Sequence, residues 1–162
     1  MGIPSYFNHI IKNHKKIFKK IKDFKKIHNL YLDSNSIIYD AMRYIDTSHI
    51  RNNSEFEIVL LQNVCLKIEE YITKLKPSFV YISFDGVAPV AKLEQQRQRR
   101  YKSGFIKNVE QEIKNEQEIK NKKMFSWNQT SITPGTEFMT SLDEYVKNYF
   151  KFPVKFGCNT II

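Results

Sequence analysis

The chain has 162 residues, enough for one domain with a buried core, and its 41% hydrophobic content with only 5 glycines and 5 prolines excludes a disordered, fibrous or collagen-like chain. Its 26 Lys and Arg against 17 Asp and Glu leave a net charge of +9, which favours a polyanionic partner, either nucleic acid or an acidic membrane face. Abundant Lys, Asn and Ile also mark a compositional bias that contributes to that charge. Cys65 and Cys158 lie far apart and outside any CxxC or Cys/His spacing, so both read as reduced core thiols. No uncharged stretch approaches a membrane span. Met1 to Tyr6 lacks the apolar region of a signal peptide and places Tyr6 where myristoylation requires Ser or Thr. The expectation is a soluble protein inside the cell, not secreted.

Residues 5–28 carry Ile10, Ile11, Ile17, Phe18, Ile21 and Phe24 among eight lysines between Lys12 and Lys26, which predicts an amphipathic, strongly basic helix. Its lysines form either a solvated face or a contact for phosphate or anionic lipid. Asn29 to Asp33 reads as a short buried strand ending in an acid, and Ser36 to Tyr44 as the helix after it. Ser54-Glu55-Phe56-Glu57 has the form of a capping box. Ile58, Leu61, Cys65, Ile68, Ile72 and Leu75 then recur every three or four residues until Lys76-Pro77 stops the helix. Phe79 to Phe84 is a β-branched and aromatic run closed by Asp85-Gly86, a second strand. Strand, helices, strand implies an α/β fold, a parallel sheet flanked by helices whose ligands gather at the carboxyl ends of the strands.

Pro89 suits a first helical position, and the polar sequence from there to about Lys123, thinly marked by Phe105, Ile106, Val109 and Ile113, predicts a long solvated helix broken near Gly104. Ser131 to Gly135 reads as a turn. Phe138, Leu142, Tyr145 and Tyr149, with Met139 and Val146, mark a last amphipathic helix, and residues 153–162 approach a strand. The ending at Ile161-Ile162 has no polar closing segment, so the domain is expected to be incomplete.

Asp33 and Asp85 close neighbouring predicted strands, so a parallel sheet brings their carboxylates into one crevice, where they suit a hard divalent cation such as Mg²⁺. The same two residues equally fit caps on the following helix or turn, and they are few for a two-metal phosphodiester site. Lys92, Gln96, Arg99 and Arg100, at offsets of four, seven and eight, share one helical face. They form either a pocket for a terminal phosphate, with guanidinium forks and a lysine point charge, or an exposed basic stripe that Arg97 extends. His9, His14, His28 and His49 show no ligand spacing. Trp127 and most tyrosines sit at core spacing, whereas Tyr39, six residues beyond Asp33, lies near the crevice and is placed to stack on a base.

The strings Met1-Gly2-Ile3-Pro4, LYLDSNSIIYD (30–40), FDGVAPVAKLEQQRQRRY (84–101) and ITPGTEFM (132–139) resemble, in order and spacing, the amino-terminal nuclease region of the XRN family of 5′→3′ exoribonucleases. The resemblance spans nearly the whole chain, 1–162. It implies an enzyme of the cytoplasm or nucleus that uses Mg²⁺ or Mn²⁺ to hydrolyse single-stranded RNA carrying a 5′ monophosphate, in a fold related to the PIN and flap-nuclease group. By position, Asp33 and Asp85 are similar to the family's first two metal-binding acids, and Lys92, Gln96, Arg99 and Arg100 to its 5′-phosphate pocket. Pro89 is similar to the residue that, with the amino-terminal helix, strips duplex from the entering strand.

Departures accompany the match. In the family's Asp-x-Asn-Gly-x-x-His block, Ser36 replaces Gly and Tyr39 replaces the base-stacking His, and Val90 stands where Arg usually follows the Pro. The family's later acidic motifs are absent and would lie beyond Ile162. The expectations are therefore an amino-terminal portion of such an exoribonuclease or, as the alternative, a non-catalytic remnant that binds 5′-phosphorylated RNA. A basic membrane-surface or scaffold role for residues 12–26 is the third.

Overall fold

The structure, a computed structural model, describes residues 3, 5–17, 27–116 and 127–162. Three strands form a parallel sheet in the order β1 (Asn29–Asp33), β2 (Phe79–Ser83), β3 (Thr160–Ile161). The register pairs Asn29 with Phe79 and Asp33 with Ser83, so β1 and β2 end side by side. Along β1 and β2 the alternation of side chains sends Leu30, Leu32, Val80 and Ile82 to the core. Tyr31 and Tyr81 go to the opposite, exposed face, where their rings lie 6.2 Å apart.

The core is built by helices α2 (Asn35–Arg43), α3 (Asn53–Leu75) and α5 (Glu137–Tyr149). Ile38, Leu60, Val64, Cys65, Ile68 and Leu142 are fully buried in it. Burial pushes the Cys65 thiol up to about 12 and also raises Cys158, and both are free and buried. The predicted helix over 54–75 is present, but its cap is Asn52: Asn52 Oδ1 accepts from the Glu55 N–H (2.8 Å) while Glu55 Oε2 accepts from the Arg51 N–H (2.9 Å). The capping box thus sits two residues before Ser54, because Asn52 holds the extended backbone that a cap requires and Ser54 is already helical.

The predicted basic helix is interrupted. α1 (Tyr6–Asn13) ends at His14, a 3₁₀ turn follows at Lys15–Ile17, and Phe18, Ile21 and Phe24 lie outside the described residues. The Asn13 side chain donates to the His9 carbonyl (3.0 Å), competing for the backbone just where Lys12, Lys15 and Lys16 repel one another at helical spacing. No residue of α1 is buried. α4 (Val90–Glu116) begins one residue after Pro89, whose carbonyl accepts from Lys92 and Leu93, and it runs through Gly104 without a break. A single glycine costs a helix only about 1 kcal/mol, too little to interrupt one of this length. The remainder of that prediction, 117–123, lies outside the described residues. Among the described residues no helix is long and apolar enough to cross a membrane.

Candidate functional site

The ends of β1 and β2 are tied together first by the backbone: Ser34 N–H donates to the Ser83 carbonyl (2.8 Å), and Ser83 Oγ donates to the Leu32 carbonyl (3.2 Å). One side chain then spans the gap. Asn35, the first residue of α2, donates from Nδ2 to Asp85 Oδ2 (3.1 Å), and its Oδ1 accepts the Asp85 N–H (2.9 Å). An amide is the side chain for this task, since it gives and accepts at once while an acid at 35 would repel Asp85. The pairing orients the Asp85 carboxylate and engages one of its oxygens. Neither Asp33 nor Asp85 is the cap of a helix; Ser34 occupies that position before α2.

A cavity of about 440 Å³ opens beside this clasp. Asn35 and Tyr39 line it from α2, Asp85 from the loop after β2, and Gln96, Arg99 and Gly104 from α4. Asn128, Gln129, Thr130 and Thr133, with Ile132 and Pro134, line it from the segment ahead of α5. Of the residues singled out in the sequence, the structure therefore gathers Asp85, Tyr39, Gln96 and Arg99 around one space. Asp33, exposed at the end of β1, is not among the residues that line it; β1 ends opposite Ser83, two residues before Asp85. Lys92 and Pro89 are exposed near the foot of α4 and also lie off the wall, and the Arg100 side chain falls outside the described residues.

Charge in α4 is divided. Arg97 pairs with Glu94 (3.5 Å), whereas among the described residues neither Lys92 nor Arg99 has an acidic partner. A cation unneutralised beside a concave wall is available to an anion; one already paired on an open helix face is not. Tyr39 is 39% exposed, enough for a ring face to meet a ligand.

The segment 127–136 carries residues that the sequence reading left without a role. Trp127 is buried against Phe56 (5.3 Å) and Phe138 (5.0 Å), and its Nε1–H donates to Glu57 Oε1 (2.9 Å) on α3. The Thr136 hydroxyl is shared between the Ser131 carbonyl (2.6 Å) and the Thr133 carbonyl (2.9 Å), and its oxygen caps α5 through the Met139 N–H (3.4 Å). Gly135, at φ 87°, makes the turn between them that a side chain would strain. The segment is thereby fixed at both ends, with Asn128, Gln129, Thr130 and Thr133 left at the cavity. The signal nearest to them is the ITPGTEFM string (132–139), which stood out by resemblance and holds Thr133, while Asn128, Gln129 and Thr130 just ahead of it are uncharged and carried no mark of chemistry. Asn35, inside the Asp-x-Asn block, was missed for the same reason.

The donors at the strand ends are hard oxygens, a class that suits Mg²⁺ or Mn²⁺. Among the described residues no group of three or more His, Cys, Asp or Glu is arranged to hold a metal ion.

Comparison with known proteins adds the following. Residues 1–157 match the family described as XRN 5'-3' exonuclease N-terminus. The 5'-3' exoribonuclease 1 of Saccharomyces cerevisiae is 36% identical over 155 residues, covering 93% of this chain and 10% of its own length. The human 5'-3' exoribonuclease 1 is 32% identical over 162 residues, covering 95% of this chain and 9% of its own. The 5'-3' exoribonuclease 2 of Saccharomyces cerevisiae is 28% identical over 188 residues, covering 94% and 18%. The chain thus spans a tenth to a fifth of the length of these relatives.

Proposed function

The chain belongs to the XRN 5'-3' exonuclease N-terminus family, and from that premise we propose that it is the part of a 5′→3′ exoribonuclease that captures the 5′-monophosphorylated end of a single-stranded RNA in the cytoplasm or nucleus. The observation that supports this reading is the meeting of Arg99 and Gln96 with Asp85 and Tyr39 around one cavity. Arg99 presents a planar fork that binds two phosphate oxygens, and Gln96, one turn earlier, adds an amide donor. Lys92 and Arg100 on the same helix raise the local positive potential, drawing the phosphate in. Tyr39 stacks on the first base, offering a ring face without the charge of an imidazole. Pro89, exposed ahead of α4, is the wedge that parts duplex from the entering strand.

Asp33 and Asp85 would hold Mg²⁺ or Mn²⁺, with Asn35 keeping the Asp85 carboxylate in its orientation. When bound, such a cation supplies Lewis-acid polarisation of the scissile phosphate and acidifies a bound water. Holding the terminal phosphate on α4 fixes the distance from the chain end to that cation, so the bond presented is the one after the first nucleotide. The count of two carboxylates also favours a second outcome for the 162-residue chain by itself, namely binding of the 5′ end with little cleavage, because an in-line displacement calls for more acids than these.

The test is a binding titration at fixed salt with matched 5′-phosphate and 5′-hydroxyl RNA. The chain is expected to prefer the phosphate by about tenfold or more, a charge-assisted pair being worth ~1.5–3 kcal/mol, and Arg99→Ala to abolish the preference. Equal discrimination by variant and parent would refute the pocket.

A further inference from the structure

The cavity brings together two chemically different kinds of group. Arg99 only donates, which suits a phosphate, a group that only accepts hydrogen bonds. Thr130 and Thr133 carry hydroxyls that both give and accept, a dual character for which a phosphate has no use, and Asn128 adds an amide beside them. A ribose 2′-hydroxyl has the same dual character and matches them.

Space and rigidity agree with this match. A volume of about 440 Å³ lies within the ~300–1,000 Å³ of small-ligand sites, so the cavity admits a nucleoside beside the phosphate. The Asn128 side-chain oxygen Oδ1 accepts from the Thr130 N–H (3.1 Å), leaving the side-chain NH₂ for a ligand. The segment is anchored by Trp127 on Glu57 and by the Thr136 hydroxyl, so its backbone is held at both ends and binding need not order it. An enzyme that removes each nucleotide in turn gains nothing from reading a base edge, whereas the sugar is common to every step.

On the reading that the α4 pocket takes a 5′ phosphate, we infer that Asn128, Thr130 and Thr133 bind the ribose 2′-hydroxyl of the terminal nucleotide, which makes this loop the element that separates RNA from DNA. Asp85 and Tyr39 on the strand-end side of the cavity then serve the phosphodiester and the base, and the loop serves the sugar between them.

The 162-residue chain is titrated with a 5′-phosphorylated RNA hexamer and with the same hexamer carrying 2′-deoxyribose at the first nucleotide only, each also as its 5′-hydroxyl form. The single deoxy substitution is expected to weaken binding about three- to tenfold, the worth of one or two net hydrogen bonds. In Thr130→Val/Thr133→Val, which keeps side-chain shape and leaves only the Asn128 amide, most of that difference should be lost while the preference for 5′ phosphate persists. Equal affinity of the parent for the two sugars overturns the inference, and this ligand-side comparison decides even if the double variant does not fold. A variant that retains the full sugar difference overturns it as well. A sugar difference lost in the variant, in a parent with no 5′-phosphate preference, would support the loop's role and refute the phosphate pocket instead.

Discussion

The Asn35 side chain reaches from the start of α2 to Asp85. Two hydrogen bonds to a single residue fifty positions away, one to the side chain and one to the backbone, hold the loop after β2 against the start of α2. A carboxylate at Asp85 left to itself would sample several rotamers, and any cation it held would follow. Asn35→Ala is therefore expected to lower Mn²⁺ affinity by about tenfold or more, as the loss of an orienting partner does, and Asp85→Ala to abolish it. Titration of the Mn²⁺ resonance signal measures both. Unchanged affinity in Asn35→Ala would show that the Asp85 carboxylate is oriented by something else.

Elements are where local rules and tertiary structure divided the work. The strands at 29–33 and 79–83 and the helices that follow were legible, because β-branched and aromatic runs closed by Asp, and apolar residues at three- and four-residue spacing, carry their geometry with them. Boundaries were less so. Ser54 and Asn52 both offer a capping oxygen with an acid nearby, and only the backbone decides that Asn52 makes the bond to Glu55. Asn52→Ala should cost about 1 kcal/mol in urea denaturation, against less than about 0.5 kcal/mol for Ser54→Ala on the exposed first turn. The reverse order would place the cap at Ser54. At Gly104 the expectation of a break failed, since the pull toward helix from the long flanking sequence exceeds the cost of one glycine. The interruption of the basic segment at His14 was invisible to hydrophobic periodicity, which registers Ile10, Ile11 and Ile17 and ignores lysine repulsion.

At the scale of the whole molecule, the parallel sheet sends its carboxyl ends to one place, and the helix that follows β2 delivers a basic face there. The acid at Asp85 and the cations of α4 were each legible alone, Asp85 from its strand end and Gln96 and Arg99 from their helical offset. That Asp33 and Lys92 would fall off the cavity wall was not, because strand register and helix rotation decide it, and neither is written in spacing. The polar loop 128–133 was least legible of all: its place depends on Trp127 packing against Phe56, a contact across more than seventy positions of sequence.

The central claim is that the 5′ end of RNA enters this cavity and is not merely held by the lysines between Lys12 and Lys26. Amide chemical-shift mapping of the isotope-labelled chain during titration with a 5′-phosphorylated RNA trinucleotide tests it most directly. The account predicts saturable shifts clustered at Asn35, Asp85, Gln96, Arg99 and residues 128–134, all lost together in Arg99→Ala. Shifts confined to the lysine-rich amino-terminal segment, with the cavity residues unmoved and Arg99→Ala without effect, would contradict it.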